Sequence, residues 1–342
     1  MLYAPIIIPT LNRASHLERC LESLKNNIGA EHTDIYISVD YPPAQKYMEG
    51  YQEVKKLLET KDLSCFKNAY IFFHEENLGP VGNSNFLKQK VENDGYDRYI
   101  YTEDDNEFSP NFLQYMNGGL EKFKDNENVI AVCGAKDTNW ETKGKNFLFC
   151  KLLAAYGVGE WINKCRNVQI KGREVIVPNR VYGPKTMFRL LKNNACLFNL
   201  YVMRILCEDK GFYWPKENEL RWCDSTYSIY MHLSDAVCIA PSIAKSRTWG
   251  NDGSGVNMKK QDINPEEEWK LDNQKVFEYD KIDDICFYKE NYSHGNKYLS
   301  KEQGVNTIKA IFCYLILVVC GGNRFKTIRI LNKFKKLFKK EI

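Results

Sequence analysis

Three consecutive carboxylates follow an apolar, aromatic-rich segment of the chain. Residues 97–102 predict a buried strand, and Glu103, Asp104 and Asp105 come directly after it. In open α/β sheets, ligands bind outside the carboxyl ends of the strands. Like charges at this spacing repel one another, so a positive group is expected among them. A hard cation such as Mn²⁺ or Mg²⁺ prefers oxygen ligands and often shares them with phosphates. The pattern therefore indicates a metal and phosphate site, and the alternative is a solvated acidic turn.

The elements that must position these carboxylates alternate between strand and helix. Apolar, β-rich runs predict strands at residues 4–8, 34–39, 69–73, 97–102, 129–132 and 234–241. Helical spacing of apolar residues predicts a helix that starts at a capping box, Ser15 to Glu18, and others at 45–60, 83–93, after Ser109-Pro110 and at 225–233. This alternation predicts an α/β fold, with a mostly parallel sheet flanked by helices.

Composition narrows the class of protein. The chain has 342 residues, of which 44% are hydrophobic and 13% aromatic, as in a globular protein. Its twelve cysteines show no CxxC pair and no zinc spacing, which favours reduced thiols. The first nine residues lack the pattern of a signal peptide, so we expect a cytoplasmic location.

The net charge of +4 is a property of the C-terminal tail. Residues 321–342 hold eight Lys or Arg and one Glu, an excess of seven that leaves −3 for the rest of the chain. No general nucleic-acid surface is therefore indicated. An apolar run at 310–320 precedes Gly321-Gly322, and an apolar stripe with basic neighbours follows. This tail predicts an amphipathic helix that holds the protein on the inner face of the cell membrane. The alternatives are a helix packed on the catalytic domain or one that mediates oligomers.

The order of these motifs resembles the nucleotide-sugar glycosyltransferases with the GT-A fold, and family 2 in particular. Ala4 to Arg13 is similar to their first strand and turn, and Tyr36 to Asp40 to their second strand. Thr102 to Leu113 resembles the Glu-Asp-Asp segment of the Golgi N-acetylglucosaminyltransferases that start N-glycan branching. Further similar segments are Trp222-Cys-Asp224, Ser246-Arg-Thr-Trp-Gly250 and Asn251-Asp-Gly-Ser-Gly255. Cys223 departs from the Asp of the Golgi enzymes, and residues 140–215 have no counterpart.

The resemblance implies a role for each motif. Asp105 would ligate Mn²⁺ or Mg²⁺, Asp104 would accept from ribose hydroxyls, and Glu103 would accept from the donor sugar. Asp224 would be the general base of an inverting transfer, or alternatively the N-cap of the helix that follows it. The remaining donor-binding candidates are Thr10, Arg13, Asp40, Asn83 and Arg247.

Some of these candidates have a specific predicted task. Asp40 would read the nucleotide base, which favours uridine, although it is also suited to the turn before Pro42-Pro43. Arg13 would bind the nucleotide or diphosphate, or be a surface residue at a helix entrance. Asn83 ends a predicted short glycine loop, which would let the backbone approach the nucleotide or be an ordinary glycine turn. Arg247 would close over the diphosphate on a mobile glycine loop.

The sequence thus predicts a GT-A protein in three parts. Residues 1–135 would bind the nucleotide sugar, 136–300 would bind the acceptor and complete the catalytic site, and 301–342 would form the tail. The expected activity is transfer from a nucleotide sugar, with a UDP-sugar favoured, to a saccharide or lipid-linked acceptor in bacterial surface polysaccharide synthesis. A sugar nucleotidyltransferase and a catalytically inactive membrane scaffold are the alternatives. The former usually has a glycine-rich signature after its first strand, which Pro9 to Arg13 lacks.

Overall fold

The computed structural model describes residues 3–136, 145–176, 183–193, 195, 198–199, 202, 224–255, 260–280 and 307–338. Its strands are β1 Ile6–Thr10, β2 Asp34–Val39, β3 Asn68–Phe73, β4 Arg98–Tyr101, β5 Asn106–Phe108, β6 Val129–Cys133, β7 Phe147–Cys150, β8 Val158–Trp161, β9 Val237–Pro241 and β10 Ser246–Thr248. Its α-helices are α1 Ala14–Lys25, α2 Met48–Thr60, α3 Gly79–Asn93, α4 Phe112–Lys122, α5 Ile162–Ile176, α6 Pro184–Asn193, α7 Asp224–Leu233, α8 Pro265–Glu268, α9 Thr307–Val319 and α10 Arg324–Phe338.

Eight of these strands form one sheet in the order β3-β2-β1-β4-β8-β6-β9-β7. Strand β1 pairs in parallel with both β2 and β4, β2 with β3, and β6 with β9. The pairs β4–β8, β6–β8 and β7–β9 are antiparallel. Strands β5 and β10 form a separate antiparallel ribbon. The predicted α/β fold with a mostly parallel sheet is confirmed.

Successive residues of the inner strands point to opposite faces of the sheet, and both faces are apolar. Helices therefore cover the sheet on both sides. Ile6 and Ile8 of β1 join a core cluster with residues of α1, α2 and α4. Ile7 points the other way and packs in a second cluster with Leu87 and Val91 of α3. A central strand that is buried on both faces reads as a continuous apolar run, as β1 does.

Most predicted element positions agree with the structure to within a few residues, but the starts of α1, α3 and α4 differ. Helix α1 begins at Ala14, since Leu17 N already donates to the Arg13 carbonyl at 3.0 Å. The predicted capping box at Ser15 is therefore wrong, and no side chain caps this helix. Helix α4 begins at Phe112 after Asn111, and Ser109 instead donates its hydroxyl to the Asn111 side chain.

The described chain divides into two compact units, Met1–Gln169 with Ala236–Tyr288, and Ile170–Asp235 with Lys289–Ile342. This grouping differs from the predicted boundaries at residues 135 and 300. The reason is that β9 returns to the sheet beside β6, and β10 pairs with β5, so residues 236–280 complete the first unit.

The predicted helical tail lies in the second unit as α9 and α10. Among the residues that the structure describes, no helix is long and apolar enough to cross a membrane.

The eight cysteines in the described part of the chain are free thiols. The cytoplasmic location remains a prediction.

Candidate active site

The ends of three parallel strands bring the predicted donor-binding residues of the first unit to one edge of the sheet. Thr10 is the last residue of β1, Asp40 follows β2, and Glu103 to Asp105 follow β4. Since β1 pairs in parallel with both neighbours, the carboxyl ends of all three strands meet at that edge. The site therefore lies where open α/β sheets bind their ligands.

Arg13 joins the second and third carboxylates of the triplet. Its guanidinium donates from one terminal nitrogen to Asp104 and from the other, Nη1, to Asp105 Oδ2 at 2.7 Å. The Thr10 hydroxyl donates to the second oxygen of Asp104 at 2.6 Å. Asp104 and Asp105 are both buried, and Arg13 is mostly so. The positive group that the sequence required among the carboxylates is thus a residue of the chain itself.

Burial and charge shift the acid–base properties of this cluster. Desolvation raises the pKa of Asp104, although Arg13 and the Thr10 hydroxyl act against it. Burial disfavours the charge of Arg13, yet the two aspartates outweigh it and raise the Arg13 pKa. The guanidinium therefore stays protonated.

Glu103 differs from its two neighbours because the residue is exposed, although burial still desolvates its carboxyl group. This desolvation, with the like charges of Asp105 and Asp104, raises the pKa of Glu103 to about 7. The Glu103 carboxyl group can therefore change protonation state near neutral pH.

Asp105 retains one oxygen that suits a cation. Its Oδ1 is buried and accepts no hydrogen bond in the described structure. Gly250 packs against the other oxygen so closely that a Cβ there would lie 2.4 Å from Oδ2. The Trp249 backbone N–H donates to the Asp105 carbonyl at 2.8 Å and fixes this approach.

The described residues contain no group of three or more His, Cys, Asp or Glu side chains that could hold a metal ion unaided. One carboxylate oxygen without a partner fits an ion that takes its other ligands from phosphates and water, as Mg²⁺-like ions usually do. Asp105 therefore fits the predicted role, which stays a prediction.

Asp40 holds together the backbone at the second strand end. Its Oδ1 accepts from the N–H groups of Tyr41 and Leu78 at 2.9 and 2.8 Å, and its Oδ2 accepts from the Asn77 amide at 3.1 Å. These bonds fix the segment that leads into α3 beside the strand end. Recognition of a nucleotide base by Asp40 stays a prediction.

The predicted glycine loop at residues 77–83 is wrong in its second half, because α3 begins at Gly79. Asn83 lies inside this helix and is buried. Its amide donates to the carbonyls of Ser38 at 3.0 Å and Thr10 at 3.4 Å. Asn83 thus ties the ends of β1 and β2 together, and its place in α3 corrects the loop interpretation. Donor binding by Asn83 stays a prediction.

Arg247 lies on β10, not on a mobile glycine loop as the sequence predicted. It pairs with Glu107 of β5 through Nε at 2.9 Å and Nη2 at 2.8 Å, and it also contacts Glu266 at 3.3 Å. The Trp249 indole donates to Glu107 as well, at 2.6 Å. Closure of Arg247 over a diphosphate would require it to leave this bidentate pair.

Three residues that contact the segment 247–252, which lies against Asp105, were not predicted from the sequence. Glu107 anchors β10, and His16 of α1 contacts Asp252 at 3.2 Å. The Arg19 guanidinium lies 4.0 Å from the centre of the Trp249 ring. The alternation Asn106-Glu107-Phe108 is a weak strand signal for Glu107, whereas nothing in the sequence links His16 to residue 252.

Asp224 is the first residue of α7, in the second unit. Its side chain lies outside the described structure, as do Trp222 and Cys223, so its role as a general base stays a prediction.

Comparison with known proteins places the chain in a family. Residues 6–189, more than half of the chain, match glycosyl transferase family 2. The chain belongs to this family, and its sheet has the predicted GT-A architecture. The more specific resemblance to the Golgi N-acetylglucosaminyltransferases is not confirmed. No curated protein matches the chain.

Similar solved structures include TarS, a mannosyltransferase and a xylosyltransferase. TarS of S. aureus is 13% identical with a TM-score of 0.30, over 45% of this chain and 27% of TarS. The mannosyltransferase PcManGT from Pyrobaculum calidifontis, in complex with GDP-Man and Mn²⁺, is 11% identical with a TM-score of 0.34, over 49% of this chain and 46% of that one. Mouse xyloside xylosyltransferase 1 is 10% identical with a TM-score of 0.32, over 48% of this chain and 68% of that one. The chain thus spans less than half of the first two, and likeness at this level says nothing about its substrate.

Proposed function

We propose that this chain is a metal-dependent, inverting glycosyltransferase that moves a sugar from a UDP-sugar to a saccharide or lipid-linked acceptor. The product would belong to a bacterial surface polysaccharide. The observation that carries the proposal is the buried, unpaired Oδ1 of Asp105 at a strand end of a family 2 fold, beside the charge of Arg13.

The residues of the first unit account for donor binding. Asp105 would hold Mn²⁺ or Mg²⁺, which supplies positive charge to the leaving diphosphate. Arg13 would add a second, permanent positive charge, because its guanidinium stays protonated. Asp104 and Glu103 would accept from hydroxyl groups of the ribose and the donor sugar. Removing even one such electrostatic group typically slows a reaction by about 10²–10³-fold.

The transfer itself needs one base. The acceptor hydroxyl oxygen forms a bond to the anomeric carbon while the bond from that carbon to the diphosphate oxygen breaks. The diphosphate leaves with the bonding electron pair, and Asp224 takes the acceptor proton. A single displacement of this kind inverts the anomeric configuration.

The proposal is tested with the purified full chain, a panel of UDP- and GDP-sugars, and Mn²⁺. We expect release of UDP or GDP, increased by a saccharide acceptor and lost in EDTA. Release of pyrophosphate from a sugar phosphate and UTP would instead identify a sugar nucleotidyltransferase. A protein that binds no donor and releases no nucleotide would contradict catalysis altogether.

A further inference from the structure

The two helices at the C-terminal end of the described chain form a hairpin. Helix α9 ends at a turn in which Gly321 and Gly322 both have positive φ, of 64° and 78°. The N–H of Gly322 donates to the Leu317 carbonyl at 2.9 Å, which closes the end of α9. Asn323 then caps α10 by accepting from the Lys326 N–H at 3.0 Å. Phe312 and Phe334 meet edge to face across the hairpin, with ring centroids 5.9 Å apart.

Helix α9 is apolar on two opposite faces. Ala310, Tyr314 and Leu317 are buried on one of them. Ile308, Phe312, Leu315 and Val319 follow one another at helical spacing, and they are 82%, 46%, 57% and 84% exposed. A helix that is apolar all round is buried in a protein core or in lipid. Within the part of the chain that the structure describes, these four apolar side chains are therefore left largely exposed to solvent.

The charges of the hairpin are all of one sign. Residues 307–338 hold seven Lys or Arg and no Asp or Glu. The hairpin thus cannot neutralise its cations with its own side chains. Two copies of the chain joined through these faces would bring together two sets of seven positive charges, so a second copy does not fit. A surface that is both apolar and anionic fits the exposed apolar face and the cations of the hairpin.

Among the described residues, α9 is too short to span a bilayer. Thirteen residues make a helix of about 20 Å, against a hydrocarbon core of about 30 Å. A short helix of this kind lies in the interface, with its apolar side in the acyl boundary and nearby cations at the headgroups.

From these observations we propose that α9 and α10 together bind the surface of a bilayer that contains anionic lipid. Ile308, Phe312, Leu315 and Val319 enter the acyl boundary, and Lys326, Arg329 and Lys333 contact the headgroups. The sequence alone assigned the contact to residues after 322, whereas the structure adds the exposed face of α9. This inference does not depend on the catalytic proposal.

The test measures sedimentation of the purified full chain with two kinds of vesicle. One is phosphatidylcholine alone, and the other is phosphatidylcholine with an equal amount of phosphatidylglycerol. Variant one combines Phe312→Gln, Leu315→Gln and Val319→Gln, and variant two combines Lys326→Gln, Arg329→Gln and Lys333→Gln. Phe188→Gln is the matched control, because Phe188 is 67% exposed on α6 of the same unit but outside the hairpin.

We expect the wild type and the control to bind the anionic vesicles and to bind phosphatidylcholine alone far more weakly. Each cation near anionic lipid contributes about a factor of five to binding, so variant two should bind about 10²-fold more weakly and depend less on salt. Variant one should lose binding at every salt concentration. Circular dichroism and size-exclusion chromatography identify any variant that has lost its helices.

Three results would overturn the inference. One is equal binding of folded variant one and the wild type to anionic vesicles. Another is equal binding of the wild type to both kinds of vesicle, which would remove the part played by charge. The third is a wild-type oligomer that variant one converts to monomers while vesicle binding is unchanged, because the apolar face would then cover a second copy.

Discussion

The carboxylates after β4 and the helix hairpin α9–α10 differ in both sign and burial. Asp104 and Asp105 are buried, and Arg13 balances them within the same unit. The hairpin carries seven cations and no anion, and its apolar face is exposed. A buried charge must be paired inside the protein, because removing it from water is costly. An exposed charge can take its counter-charge from a partner. The buried and paired charges after β4 suit a site that binds a small ligand. The exposed cations of the hairpin suit a surface that binds a large partner.

The largest effect is expected from a change in the second unit. It would show that this unit takes part in catalysis and does not only bind a surface. Asp224 belongs to the second unit. We expect Asp224→Asn to bind donor normally and to turn over about 10²–10⁴-fold more slowly, because the amide cannot take the acceptor proton. Initial rates with saturating donor, together with donor affinity by calorimetry, measure this. Turnover within a few-fold of the wild type would place the base elsewhere, with Glu219 or Glu217 next to test.

The second prediction concerns the unpaired oxygen of Asp105. Asp105→Asn keeps the size of the side chain but removes its negative charge, so we expect transfer to fall by about 10²–10³-fold and the response to Mn²⁺ to disappear. The rate at increasing Mn²⁺ concentration is the measurement. Asp125→Asn is the control, since Asp125 is exposed on the same unit. An unchanged Mn²⁺ response in Asp105→Asn would remove Asp105 as the metal ligand.

The third prediction compares a buried ion pair with an exposed one. Arg13→Gln leaves two buried carboxylates without their counter-charge, so we expect the free energy of unfolding to fall by about 3–5 kcal/mol. Arg166→Gln breaks the exposed pair with Glu92, in which the side chains are 60% and 37% exposed, and should cost about 0–1 kcal/mol. Urea unfolding gives both values.

The same variants can be compared by their melting temperatures with Mn²⁺ and without any substrate. If Arg13 and a cation compete for Asp105, Mn²⁺ should raise the melting temperature of Arg13→Gln more than that of the wild type. Equal losses of stability for the two arginine variants would show that the carboxylates do not need Arg13.

The sequence predicted six of the ten described strands, β1 to β4, β6 and β9, and the shared edge of the sheet, because these follow from local patterns. The apolar runs of β1 and β2 and the position of Asp104 and Asp105 after β4 are visible without the fold. The pairing of Arg247 with Glu107 is not, because it joins residues 140 positions apart through a two-stranded ribbon. The loop predicted around Asn83 was wrong for a similar reason, since Gly79 and Gly82 look like a loop but lie in the first turn of a helix.

The domain boundaries depend on the same kind of long-range pairing. Strand β9 joins the sheet beside β6, which lies more than a hundred residues earlier. The local periodicity of the sequence does not show that β9 pairs with β6. The exposed face of α9 is a further example, because the run at 310–320 is apolar throughout and only packing separates its buried side from its exposed one.

The smallest expected effect concerns Glu103, which is exposed beside the buried Asp104 and Asp105. Its raised pKa, about 7, means that the ionised carboxylate dominates only above that pH. If the ionised form accepts a hydroxyl of the donor sugar, kcat/KM should fall as the pH decreases below about 7, by up to about tenfold per unit. Glu103→Gln should be slower at pH 8 and should lose this dependence, because the amide does not titrate. The kcat/KM profile from pH 5.5 to 8.5 measures both, with Glu107 left intact so that the β5–β10 ribbon is preserved. An inflection near pH 7 that persists in Glu103→Gln would assign the titration to another group. The ionisation of Glu103 would then have no part in catalysis.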